Sequence, residues 1–204
     1  MLAPMRRLAL LLALLAVPLT TPLAAQDVPA LHAVTGVAPD DVLNLREAPT
    51  ASAEAVGSLP PDATDVEVVA VSPDGLWGLV ALPEGGGWAR LSFLRVTGAP
   101  APRTVPARLT CQGTEPFWTV SLDGAGDRWS TPEEDRPLRR IGQAAGFGGF
   151  VVAFDRDGAT LDLTVTRASC SDGMSDRPYG FRALVWDRGA SGGEQLLEGC
   201  CSLR

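Results

Sequence analysis

Three carboxylates, Glu115, Asp172 and Asp176, are the side chains best suited to chemistry in this sequence. Two carboxyl groups about 5–9.5 Å apart can serve as acid and base on a glycosidic bond. A carboxylate-dependent hydrolase acting on envelope polymers is therefore the enzymatic alternative. The rest of the repertoire is thin. His32 is the only histidine, so Ser171 or Ser175 would have to borrow a distant imidazole to complete a Ser-His-acid triad. The same shortage removes most His-based metal sites and general bases. Asp172-Gly173 is a turn dipeptide, and Asp176 close behind it can accept backbone N–H groups within the same loop. The spacing of the oxygens would suit calcium, but Asp172 to Asp176 lacks the full EF-hand pattern. The expectation is a protein without catalytic residues, metal or cofactor.

Recognition is the chemistry that the remaining residues favour. Trp118, Met174 and Tyr179, beside Glu115, Asp172 and Asp176, could form an apolar surface rimmed with acid. Alternation places Phe117 and Trp118 on opposite faces of a strand, and Tyr179 and Phe181 on one face. Arg177 and Arg182 are expected to pair with the neighbouring acids. In the first half of the chain, Trp77 and Trp88 either pack a core or line a peptide groove.

The elements that must hold these residues read as β throughout. The chain has 204 residues with 22 glycines and 17 prolines, a composition of many turns and short strands. Residues 27–95 hold the runs Val42–Arg46, Thr64–Val71 and Leu76–Leu82, each bounded by Pro, Gly or Asp. Gly75 and Gly85-Gly86-Gly87 are expected at tight turns needing positive φ. Residues 96–107 carry three prolines and predict a stiff, extended linker. Residues 108–204 hold strands over Phe117–Leu122, Phe150–Phe154, Ala159–Thr166 and Tyr179–Trp186, with Arg136–Ala145 as a weak helical candidate. The fold class predicted is all-β, a small barrel joined to a disulfide-stapled antiparallel barrel or sandwich.

Residues 1–25 have the form of a signal peptide. Arg6 and Arg7 precede the apolar run Leu8–Val17, and Leu23-Ala24-Ala25 offers a cleavage site. The run is about half of the roughly 20 residues needed to cross hydrocarbon, so no membrane anchor is expected after cleavage. Export to the periplasm or beyond permits disulfides, and Cys111, Cys170, Cys200 and Cys201 are an even set. Adjacent strand residues point to opposite faces, so Cys200 and Cys201 should reach different partners. Either Cys111 takes Cys200 and Cys170 takes Cys201, or the reverse. All 17 basic residues are Arg and 24 residues are acidic, giving a net charge of −7. That balance argues against nucleic acid as a partner. Removing Arg6 and Arg7 moves the charge from −7 to −9, which repels anionic lipid headgroups.

Two resemblances add to this reading. Asn44-Leu45-Arg46, Pro49, Gly57, Pro60, Val66-Glu67-Val68, Gly75-Leu76-Trp77, Gly87-Trp88-Ala89 and Leu94 resemble the bacterial SH3-like domain over residues 32–95. The chain departs from that pattern at Glu47-Ala48, where small residues are usual. The resemblance implies a small barrel of five or six strands in an exported or wall-associated protein, and a peptidoglycan peptide as a possible partner. Gly113-Thr114-Glu115-Pro116-Phe117-Trp118, Cys170-Ser171-Asp172-Gly173-Met174-Ser175-Asp176 and Gly199-Cys200-Cys201 resemble a widespread, uncharacterised family of bacterial envelope proteins over residues 108–201. It implies an all-β fold in the envelope and no catalytic residue. Together these readings predict an exported binding protein whose partner is a wall peptide, an envelope protein or a small ligand.

Overall fold

Short β-branched runs broken by Gly, Pro and Asp become fifteen strands among the described residues, with no α-helix. The structure is a computed structural model that describes residues 27–190 and 193–203. The signal-peptide reading of residues 1–25 lies outside the described residues.

The first unit contains β1 (Ala30–Val34), β2 (Leu43–Arg46), β3 (Ala55–Leu59), β4 (Val66–Val71), β5 (Trp77–Leu82), β6 (Gly85–Arg90) and β7 (Leu94–Gly98). They form one antiparallel sheet in the order β3-β2-β6-β5-β4-β1-β7. Leu43, Leu45, Val66, Val68, Val80 and Ala89 meet in a single cluster, so the sheet curls around its own inner face. Strand β7 runs further than the sequence indicates. Residues 96–98, expected in the linker, pair with Leu31 and His32 of β1. The glycine triplet also differs from expectation. Gly75 has positive φ, but Gly85-Gly86-Gly87 lie extended within β6 and the turn is made by Pro83-Glu84. Their small size serves close approach instead. A Cβ on Gly86 would meet Pro178 at 2.8 Å, and one on Gly87 would meet Leu45 at 2.8 Å.

The second unit is a closed barrel. Its strands are β8 (Leu109–Thr114), β9 (Phe117–Leu122), β10 (Asp127–Ser130), β11 (Asp135–Ala145), β12 (Gly149–Arg156), β13 (Ala159–Cys170), β14 (Tyr179–Ala190) and β15 (Gly193–Ser202). Each pairs antiparallel with its neighbour in sequence, and β15 returns to β8 to close the ring. The helical candidate Arg136–Ala145 is strand β11, bonded on both sides by β10 and β12. Gly142 and the exposed charged residues of that stretch gain nothing from a helix that would have no apolar face to bury. Alternate residues point inward, and Val120, Trp129, Phe154, Leu163, Phe181 and Val185 belong to a core that fills the barrel.

Both disulfides act at the closing seam. Cys111 and Cys201 lie directly opposite each other on β8 and β15, and their bond spans the junction with a Cα–Cα distance of 3.9 Å. Cys200, facing the other way, bonds Cys170 at the end of β13. The two adjacent cysteines therefore take different partners, and the alternative pairing does not occur.

The units dock through residues that turn away from the first core. Leu31 and Glu67 oppose each other on β1 and β4. Leu31 packs against the barrel core. Glu67 is 1% exposed and accepts the Leu203 N–H at 3.0 Å, with the Arg177 guanidinium 3.7 Å away. Arg167 donates to the carbonyls of Val28 and Pro100, each at 3.2 Å, and lies over the Phe181 ring.

His32 packs inside the first unit at 1% exposure, where its Nδ1–H donates to the Ala30 carbonyl at 3.1 Å. Burial lowers its pKa from 6.5, outweighing the backbone contacts to Ala30 and Val66. The unfolded chain thus binds a proton more readily than the folded one, and the stability from neutral His32 is full above pH 6.5 and is lost as pH falls below it. Urea midpoints of the natural chain should drop between pH 7 and pH 5, with a slope of at most about 1.4 kcal/mol per pH unit from this residue. His32→Leu should flatten that window. A natural chain with no fall there would contradict the assignment.

Candidate functional site

A cleft of about 540 Å³ opens where the barrel meets the first unit. One wall is the outer face of the β8–β9 hairpin, which carries Gln112, Thr114, Phe117 and Thr119. A second is the loop between β13 and β14, with Asp172, Met174, Ser175 and Arg177. Thr131 and Pro132 of the β10–β11 turn close one side, and Pro83 and Glu84 at the β5–β6 tip contribute from the first unit.

Strand alternation explains the cleft's apolar character. Phe117 points outward and is 54% exposed, while Trp118 turns inward and is 2% exposed. Trp118 stacks on Trp129, with ring centroids 6.0 Å apart and planes within 7°. Gly113 lies directly opposite Trp118, and a Cβ there would overlap the indole nitrogen. The glycine leaves room for the indole to lie flat against the strand. Below it, the Arg156 guanidinium covers the Trp129 ring and donates twice to Asp187, at 2.9 and 2.8 Å. Such a doubly bonded pair fixes geometry as well as charge.

The loop wall is organised by Asp172. Its carboxylate accepts the N–H groups of Met174 at 3.0 Å and Ser175 at 2.9 Å, together with the hydroxyls of Ser175 at 3.0 Å and Tyr179 at 3.1 Å. Gln112 donates to the Tyr179 hydroxyl at 3.1 Å, and Thr114 donates to the Asp172 carbonyl at 3.0 Å, so the loop is tied to β8. Burial pushes the Asp172 carboxyl up. The donors of Ser175, Met174 and Tyr179 outweigh burial and hold it below the usual 3.8. Burial raises the Tyr179 hydroxyl above 10.0, helped by Asp172 and opposed by Arg177, so it stays a neutral donor. A carboxylate locked in its charged form and saturated with donors organises a loop. General acid–base work needs a group poised to exchange its proton near the working pH.

The sequence-derived residues fall in four places. Trp118, Asp172, Met174 and Tyr179 line the cleft, with Met174 68% exposed. Glu115 lines a neighbouring depression of about 200 Å³ together with Asp172, Cys170, Arg182 and Glu198, and Asp176 lies exposed on the loop. Of the three carboxylates, only Asp172 lines the cleft. Trp77 is buried beside a groove of the first unit, and Trp88 is partly buried on β6 opposite Leu79. Arg177 departs from expectation. It pairs with Glu67 of the first unit and covers the Tyr179 ring at 4.9 Å, because the loop's own carboxylate is already occupied by nearer donors. Phe181 lies in the barrel core, whereas Tyr179 packs with Cys170 and Cys200. Among the described residues, no three His, Cys, Asp or Glu side chains converge as metal ligands, and no helix is long and apolar enough to cross a membrane. Compared with known proteins, the chain matches no family model, no curated protein and no solved structure.

Asp172→Asn removes the charge on which the loop donors converge. Amide hydrogen exchange at Met174 and Ser175 should quicken about tenfold, the equivalent of one charge-assisted hydrogen bond of roughly 1.5 kcal/mol. Exchange at the natural rate in that variant would show that the loop is held by something else.

Proposed function

We propose that this chain is an exported, non-catalytic binding protein of the bacterial envelope, and that its ligand, a cell-wall peptide, a segment of an envelope protein or a small molecule, sits in the cleft between the two units. The observation that supports this most is the pairing of exposed Phe117 and Met174 with a ring of hydroxyl and amide groups in one concavity. Binding sites of small ligands and peptides combine an apolar surface with a few fixed polar groups in this way. The barrel interior is filled with side chains, so recognition falls to the outer surface. Two bonded cysteine pairs accord with an oxidising compartment. A hydrolase would need a second carboxylate working with Asp172; Glu84 shares the cleft with it and Glu115 shares the neighbouring depression, but the Asp172 carboxylate is taken up by the donors of its own loop.

The test is a titration of the mature, disulfide-bonded chain with purified muropeptides, followed by NMR and by product analysis. Saturable shifts at Phe117, Met174 and Ser175 are expected. Phe117→Ala and Met174→Ala should each weaken binding about tenfold, as loss of an apolar anchor does. Hydrolysis products would overturn the reading in favour of an enzyme. Titration without any shift would exclude wall peptides as the ligand.

A further inference from the structure

The first unit carries a groove of about 570 Å³ that the proposed cleft does not use. We infer that it is a binding site for an acidic peptide, one in which an extended segment presents an apolar side chain next to carboxylates. Val42, Phe93 and Trp77 give the groove its apolar surface, and Val42 and Phe93 are exposed. Arg46 and Arg90 supply the charge. On adjacent strands Arg46 opposes Trp88, and Arg90 opposes Trp77, so the two cations and two indoles share one face of the sheet. Leu45 and Ala89, their neighbours in sequence, point into the core.

Both guanidiniums are positioned and neither is neutralised. Arg46 donates to the Ala53 carbonyl at 2.7 Å, and Arg90 lies 5.5 Å from the centre of the Trp77 ring. Among the described residues, neither has a carboxylate within 4.0 Å. On the barrel, Arg128, Arg136, Arg139, Arg140, Arg156 and Arg188 are paired with Asp or Glu, whereas Arg167 and Arg182 are not, among the described residues. The one acid lining the groove, Asp41, accepts the Val42 N–H at 2.8 Å. Asp74, outside the lining, senses Arg90 only as a weaker influence after its bonds from Ser72 and Leu76. The groove is thus a locally cationic surface on a chain of net charge −7. A carboxylate on the peptide would gain charge-assisted hydrogen bonds from the two guanidiniums, while an adjacent Leu or Val side chain would cover Trp77 and Phe93. The long-range repulsion of an acidic partner by the rest of the chain makes the attraction local and sensitive to salt.

The probe is a doubly capped pentapeptide of alternating Glu and Leu, titrated into the mature chain beside its Gln-for-Glu isostere. Saturable NMR shifts are expected at Val42, Phe93 and the Trp77 indole, with binding about tenfold weaker for the Gln peptide, in 0.5 M salt, and in Arg90→Gln. Arg90 is exposed at the end of β6, and an unchanged urea midpoint for that variant confirms that its fold is intact. Equal binding of the Gln peptide, shifts centred on Phe117 and Met174 instead, or no shift at millimolar peptide would each overturn the proposal. Shifts at the groove test this site alone, because the cleft residues serve as an independent reporter.

Discussion

The arrangement depends on a buried carboxylate at the junction of two units. Glu67 lies on β4 with its side chain turned away from the first core and sealed by the barrel. Removing a carboxylate from water costs several kcal/mol unless hydrogen bonds and opposite charge replace the lost hydration. Two of the partners come from the second unit, the Leu203 N–H and the Arg177 guanidinium. Arg177 also forms part of the cleft wall and covers Tyr179. Through Arg177, the contact with Glu67 also holds the β13–β14 loop opposite Pro83 and Glu84. Loss of that docking would take Pro83 and Glu84 away from a cleft whose other walls all belong to the barrel.

Within the barrel, closure and the site share the same covalent supports. The β15–β8 pairing is short, with register pairs only from Cys200 to Ser202, and it carries the Cys111–Cys201 bond. The neighbouring Cys170–Cys200 bond holds the start of the loop that Asp172 organises. In the chain-entropy model such bonds contribute about 3–5 kcal/mol each. In the eight-stranded barrel the inward-facing side chains, among the described residues, form one packed core. Its exposed loops and hairpins are left to provide any recognition.

Alternation made much of this legible in the sequence. It separated Phe117 from Trp118 and Cys200 from Cys201, and it located β9 to the residue. Trp118, Met174 and Tyr179 came into one concavity with Asp172, while Glu115 and Asp176 did not. What stayed hidden depends on contacts between distant segments. The cysteine pairing follows from the β15–β8 register, which pattern alone does not fix. Arg136–Ala145 looked ambiguous because only Leu138 of the stretch is buried, and what makes it a strand is hydrogen bonding from β10 and β12 on both sides. Pro83 and Glu84 have no local signal of a site; they become part of one only after docking. Arg177 was expected beside its local acids, whereas it pairs with Glu67, which lies far away in the sequence and meets it only through docking.

The most direct test of the account is a measurement of ¹⁵N relaxation along the chain, which reports how each unit tumbles. Docking through Glu67, Leu31 and Arg167 predicts a single rotational correlation time for residues 30–98 and 109–202. Two distinct and shorter times would mean that the units move independently, and would contradict both the junction and the cleft built upon it.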